Sequence, residues 1–190
     1  DKPLTIDDLA SLRRELDIEQ DNLEGWFMPE TYSYTVGSTS RDILRRAHNE
    51  MKSYLDKNWK SRDPSLPYDS PYQALIMASI IEKETAKVDE RPRIASVFVN
   101  RLQKKMKLQT DPTVIYGVKD RYDGNIRRRD LEDENPYNTY VIEGLPPTPI
   151  AMPGKGAVKA ALHPDKTNFL YFVAKGGGAH QFSTTLAEHN

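Results

Sequence analysis

The sequence predicts an α+β fold, a helical core joined to a small antiparallel sheet. Three observations carry that prediction. Apolar residues recur at helical spacing in three separate stretches, around 39–59, 71–86 and 90–105. Near the C-terminus, "NFLYFVAKGGGAHQFSTT" reads as two short strands around a glycine-rich turn. Helices and local strand pairs follow one another in an order that suits α+β rather than a doubly wound sheet.

The elements follow in order. Leu4, Leu9, Leu12 and Leu16 fall on loose helical spacing and predict a short helix over 4–16. In "WFMPETYSYTV", Tyr32, Tyr34 and Val36 alternate, which predicts a strand. Thr39 and Asp42 form a capping-box pattern, so a helix is expected from there to about Trp59. Its inward residues should be Leu44, Ala47, Met51, Tyr54 and Leu55. "SRDPSLPYDSP" is a loop by its prolines and Ser/Asp content. Pro71 suits the first turn of a helix that should run to about Ala86. Another is expected from Glu90 to Lys105, with Ile94, Phe98 and Leu102 on one face. "LQTDPTVIYG" and "KDRYDGNIRRRDLEDENP" read as surface loops. "YNTYVIEGLPPTPIAMPG" begins strand-like and ends in a proline-rich turn, and "GAVKAALHP" is a short helix.

Composition narrows the chemistry. With 190 residues the chain is one domain of ordinary size, large enough to bury a core without disulfide or metal staples. It has no cysteine, which excludes thiolate catalysis and Cys-ligated zinc. A net charge of -1, with both signs mixed along the chain, gives no reason to expect nucleic acid or an anionic membrane as main partner. No apolar run within these residues approaches the ~18–20 of a membrane span, and none has the pattern of a signal peptide. The chain opens on Asp1 rather than Met, as expected of a piece of a longer protein.

The stretch "ASIIEKETAK" places Glu82 and Glu84 in an otherwise apolar helix pattern. A helix turns by roughly 100° per residue, so the two point about 200° apart and cannot act as a pair. Glu84 lies four residues after Ile80, three after Ile81 and seven after Met77, on the apolar face. Glu82 follows Ala78 and Ser79 on a flank of smaller residues. A carboxylate on an apolar face is poorly solvated, so its acid form persists nearer neutral pH. A general acid that protonates a leaving oxygen needs that property. The alternatives are that Glu84 turns to solvent at the helix end or pairs with Arg91 or Arg93. Glu82 is expected to be a surface or hydrogen-bonding residue.

Asp111 in "LQTDPT" could supply a second carboxylate to a two-acid glycosidase. Asp-Pro-Thr is equally a common turn and helix-start sequence. The histidines His48, His163, His180 and His189 lack metal-ligand spacing, so no metal site is expected. His163, before Pro164, should sit at a helix end. No G-x-S-x-G elbow supports an esterase serine, and "KGGGAH" lacks the frame of a phosphate loop. Tyr116, Tyr137 and Tyr140 join Gln109, Asn138 and Thr139 in loop-like segments. Aromatic faces with amides and hydroxyls suit a sugar cleft, although any one of these tyrosines could equally be half-buried core.

Taken together, "LEGWFMPETY", "MASIIEKETAKVDERPRIASVFVNRL", "LQTDPTVIYG", "YNTYVIEGLPPTPIAMPG", "ALHP" and "FLYFVAKGGGAHQFSTT" closely resemble the endolytic murein transglycosylases of the MltG/YceG-like family. The resemblance runs from about Leu23 to the C-terminus. It implies a lead-in segment over 1–22 and a catalytic domain over 23–190. The activity implied is non-hydrolytic cleavage of the MurNAc-β-1,4-GlcNAc bond, leaving a 1,6-anhydro-MurNAc end and terminating or releasing nascent strands. The second Glu of "EKET", Glu84, matches the family's catalytic glutamate. Its "KETA" context resembles the Glu-Ser/Thr signature of lysozyme-like transglycosylases and implies a lysozyme-like helical core. Gln109, Thr110, Asp111, Tyr116, Tyr137, Asn138, Thr139 and Tyr140 fall in motifs expected to line the cleft, with Glu82 in support. No cofactor is implied. The partners implied are peptidoglycan glycan strands and penicillin-binding synthases. A single-pass inner-membrane anchor and a LysM-like segment would precede this domain and leave it facing the periplasm. Two other readings stay open: a hydrolytic muramidase with Asp111 positioning water, and a peptidoglycan-binding module without catalysis.

Overall fold

The structure is a computed structural model that describes residues 6–189. Leu4 therefore lies outside the described residues. Helix α1 spans Ile6–Glu15, α2 Ser40–Ser61, α3 Pro71–Glu84, α4 Arg91–Gln103, α5 Asp111–Gly117, α6 Arg128–Leu131, α7 Lys155–Leu162 and α8 Leu186–His189. Strands β1 (Tyr171–Gly176) and β2 (Ala179–Ser183) pair antiparallel, with Tyr171 opposite Ser183 and Phe172 opposite Phe182. The helical core with one small antiparallel hairpin is the α+β architecture that the sequence predicts.

Helix α3 is the centre, and its sequence explains why. Every residue from Ala74 to Ile81 is buried, so the helix is apolar all round rather than striped. It packs most extensively on α7 and also meets α2, α4 and α5. Burying Leu75, Met77, Ile80 and Ile81 contributes about 1.5–3 kcal/mol each. The helix starts where Ser70 Oγ accepts the Gln73 N–H at 3.4 Å and Pro71 fills the first turn. It ends at Glu84, because Thr85 turns extended at φ -145° and ψ 135°. The end of this buried helix thus delivers Glu84.

Helix α2 carries the expected capping box. Thr39 accepts the Asp42 N–H at 3.1 Å, and Asp42 accepts the Thr39 N–H at 2.9 Å. Ala47, Met51 and Leu55 are its buried face, with Tyr54 half-buried beside them. In α4, Ile94 and Phe98 are buried, and β1 packs against this helix. His163 caps the C-terminus of α7, as its position before Pro164 predicts. In α1, Leu12 is buried, and Ile18 just beyond the helix is buried as well.

Four local expectations fail. The segment 119–136, expected as a surface loop, contains helix α6 and buries Asp130. Residues 32–36 form no strand. Tyr34 and Val36 are exposed, and the chain turns back where the Ser38 N–H reaches Thr35 O at 3.0 Å. Alternation alone makes no strand without an edge to pair with. The start of "YNTYVIEG" is a turn, because the Val141 and Ile142 N–H groups both fold back on Asn138 O at 3.0 and 2.9 Å. "DPTVIYG" is helix α5 rather than a loop, with Pro112 in its first turn and Thr113 and Val114 buried. Gly117 closes it, since a Cβ there would come within 2.6 Å of Asn135 Oδ1. Asn135 instead donates to Gly117 O at 3.0 Å and fastens the 128–137 segment to α5.

Candidate active site

Glu84 opens into a cleft of about 380 Å³, lined also by Phe98, Arg101, Leu108, Gln109, Asp111, Tyr140, Tyr171, Phe172, Leu186 and His189. Its carboxylate accepts a hydrogen bond from Thr110 Oγ1. No lysine or arginine pairs with it among the described residues. Burial pushes the Glu84 carboxyl above the usual carboxylate range. The Thr110 hydroxyl opposes that shift, nearby Asp111 adds to it, and His180 opposes it weakly. Its place at the C-terminal end of α3 acts in the same direction as burial, because helix carbonyls disfavour an anion there.

Glu82 has a different surrounding. Its Oε1 accepts from Arg91 Nη2 at 2.9 Å, and its Oε2 accepts the Gly154 N–H at 2.9 Å. Gly154 is the N-cap of α7 and Arg91 begins α4, so this carboxylate ties three helices together. Arg91, one of the two arginines that the sequence offered as partners for Glu84, pairs with Glu82 instead, and Arg93 lies by Asp165.

The 109–111 segment reaches the cleft through an uncommon backbone turn. Gln109 adopts φ +51°, and its N–H bonds Thr139 O at 3.1 Å. Thr110 is buried behind Glu84, and its N–H donates to Thr139 Oγ1 at 3.0 Å. Asp111 accepts from the Tyr140 hydroxyl at 2.7 Å. Burial, and then that bond, hold the Tyr140 phenol well above its usual range.

The remaining expected site residues stand behind this wall. Thr139 is buried, with its hydroxyl 2.8 Å from that of Thr113. Asn138 is buried, and its amide donates to the carbonyls of Asp130, Leu131 and Asp133 at 3.2, 3.1 and 2.8 Å. Tyr116 and Tyr137 pack on each other, ring centroids 4.9 Å apart, and are not among the cleft-lining residues. The Tyr137 hydroxyl lies 2.8 Å from Thr148 Oγ1, and Asn22 donates to the Tyr116 hydroxyl at 3.4 Å.

The opposite wall comes from the hairpin. Tyr171 and Phe172 of β1 line the cleft, and the Phe172 ring meets Phe98 edge-on at 5.7 Å. His180 of β2 pairs with Glu90 at 2.8 Å and fastens the hairpin to the 85–90 link beside Glu84. Sequence reasoning passed over Arg101, Tyr171 and His189. For Arg101 a signal existed, because it lies three residues after Phe98 and seven after Ile94 on the buried face of α4. Among the described residues, no cluster of three or more His, Asp or Glu side chains could hold a metal ion, and no helix is long and apolar enough to cross a membrane.

Comparison with known proteins agrees with the motifs. Residues 4–190 match the model of the YceG-like family. A Bacillus subtilis (strain 168) protein named endolytic murein transglycosylase is 46% identical over 169 residues, covering 88% of this chain and 46% of its own length. A protein of the same name from Streptococcus pneumoniae serotype 2 (strain D39) is 33% identical over 165 residues, covering 80% of this chain and 28% of its own. The chain spans less than half the length of these curated relatives. The crystal structure of a yceG-like protein from Listeria monocytogenes is 34% identical, with a TM-score of 0.79 over 98% of this chain and 64% of that one. On its sequence motifs, its fold and these matches, the chain belongs to the YceG-like family.

Proposed function

We propose that this chain is the catalytic part of an endolytic peptidoglycan transglycosylase, with Glu84 as acid and then base. The supporting observation is Glu84 itself, an acid with a raised pKa at the end of a buried helix, open to a cleft and without a lysine or arginine partner among the described residues. Protonated Glu84 donates to the oxygen linking MurNAc C1 to GlcNAc, and the C1–O bond breaks. Positive charge develops at C1, where the substrate's own N-acetyl group can stabilise it. The Glu84 carboxylate then takes the proton of the C6 hydroxyl, O6 bonds to C1, and the anhydro ring closes. One carboxyl serves both transfers, so no second acid is needed. The phenyl and tyrosyl faces of the hairpin wall suit apolar sugar faces. A helix-terminal acid opposite a small antiparallel hairpin also supports the lysozyme-like reading of the core.

The proposal extends to place and partners. Glycan strands lie outside the cytoplasmic membrane. We infer a single-pass anchor in the longer protein, and penicillin-binding synthases as neighbours that supply nascent strands. Anchoring would raise the effective concentration of strand at the cleft.

One observation keeps the hydrolytic alternative in view. Asp111 lines the same cleft and could position a water. Mass spectrometry of products from uncrosslinked glycan strands decides between the two. Anhydro-MurNAc ends support the transglycosylase, and products heavier by one water support the muramidase. Bound glycan without any product would leave a binding module.

A further inference from the structure

We propose that Arg101 reads a carboxylate carried on the C3 arm of a muramic acid ring, a specificity-determining contact that rests on the peptidoglycan reading above. Arg101 is 8% exposed and lines the cleft with Glu84. A guanidinium stays charged even when buried, and a buried charge without an opposite charge is costly. Arg101 has no carboxylate partner among the described residues. Its Nε donates to Leu170 O at 2.7 Å, and its Nη1 donates to Lys107 O and Leu108 O at 3.1 and 2.9 Å. Gln109 Oε1 lies at the limit of bonding distance from Nη1, 3.5 Å. These bonds fix the plane of the guanidinium and leave Nη2 with no partner among the described residues. The group is therefore oriented, charged and unfinished.

Its surroundings extend the same pattern. The guanidinium carbon lies 5.1 Å from the Tyr171 ring centroid, and the His189 ring stacks on Tyr171 at 5.2 Å. His189 Nδ1 is buried with no partner among the described residues. The cleft thus holds two acids, Glu84 and Asp111, together with the Arg101 guanidinium and the His189 ring. Tyr140 feels the charge of Glu84, Asp111 and Arg101. A neutral sugar hydroxyl would leave the guanidinium charge uncompensated, whereas a carboxylate matches both the charge and the planar fork. In a strand of alternating amino sugars the acidic groups hang on the muramic C3 ether. They are the lactyl carboxylate where the stem peptide is removed, and the stem carboxylates where it is present. Such an arm extends away from the glycosidic oxygen, as a charge reader separate from the acid requires.

The test is equilibrium binding, read without turnover on Glu84→Gln protein. The probes are peptide-stripped strands, intact uncrosslinked strands, both again after carbodiimide amidation of their carboxyls, and a chitin oligosaccharide that has no arm. At least one acidic strand should bind about tenfold more tightly than its amidated form. Whichever acidic strand shows the ratio identifies the source of the carboxylate. Adding Arg101→Gln should erase the ratio while chitin-oligosaccharide binding persists. Equal binding of acidic and amidated strands in the Arg101 protein overturns this inference alone. That comparison needs no folded Arg101 variant. Failure to bind any glycan overturns both this inference and the substrate assignment beneath it.

Discussion

Glu82 and Glu84 sit two residues apart, and removing each should have a different consequence. Glu82→Ala leaves Arg91 without its carboxylate and the Gly154 N–H without its acceptor. The Arg91 side chain is 11% exposed, and its Nε already lacks a partner among the described residues. Breaking a buried pair by removing one member costs about 3–5 kcal/mol. Glu82 is 26% exposed, so water recovers part of that, and about 2–3 kcal/mol is expected. For a chain of this length, a loss of that size lowers the melting temperature by about 5–10 °C. Urea titration and calorimetry would read it. Turnover per folded molecule on glycan strands should persist at a temperature below the transition. Unchanged stability with abolished turnover would refute the reasoning and make Glu82, not Glu84, the acid.

Three further outcomes follow from the same geometry. Folding raises the pKa of Glu84, so the wild type loses stability as pH climbs from the ordinary value of 4.5 through the raised folded value. Glu84→Gln lacks that loss, so it should melt higher than wild type at pH 7, with the gain fading below pH 4.5. Asn138→Ala strips the amide from three carbonyls and should cost about 2–3 kcal/mol in urea unfolding. Asp111→Asn keeps an acceptor for Tyr140, so turnover should fall only about fivefold if no water has to be positioned, measured as initial rate on soluble strands.

Much of this arrangement was legible because it is written in helical period. Glu84 falls on the face of Ile80, Ile81 and Met77, and that spacing alone separated it from Glu82. The Thr39/Asp42 box and Pro71 marked two helix starts by local hydrogen bonding and fixed φ. What stayed hidden has equally physical reasons. Helix α5 is seven residues long, too short for a period to show, and its Asp-Pro start is shared with turns. Tyr32, Tyr34 and Val36 alternate, but strand formation needs a pairing edge that sequence cannot supply. Thr110 meets Glu84 across 26 residues of chain, a contact set by the packing of α5 on α3. Asn138 and Thr139 belong to the site's motifs, yet they stand behind its wall and hold the turns that aim Asp111 and Tyr140. Arg101 was visible as a charge on an apolar face, the same signal that marked Glu84.

Turnover of Glu84→Gln against wild type on uncrosslinked glycan strands, with circular dichroism confirming an unchanged fold, reads the role of this helix-terminal acid most directly. A loss of about 10²–10⁴-fold is expected, the usual contribution of a positioned general acid–base. A folded Glu84→Gln protein that still cleaves at close to the wild-type rate would contradict that role.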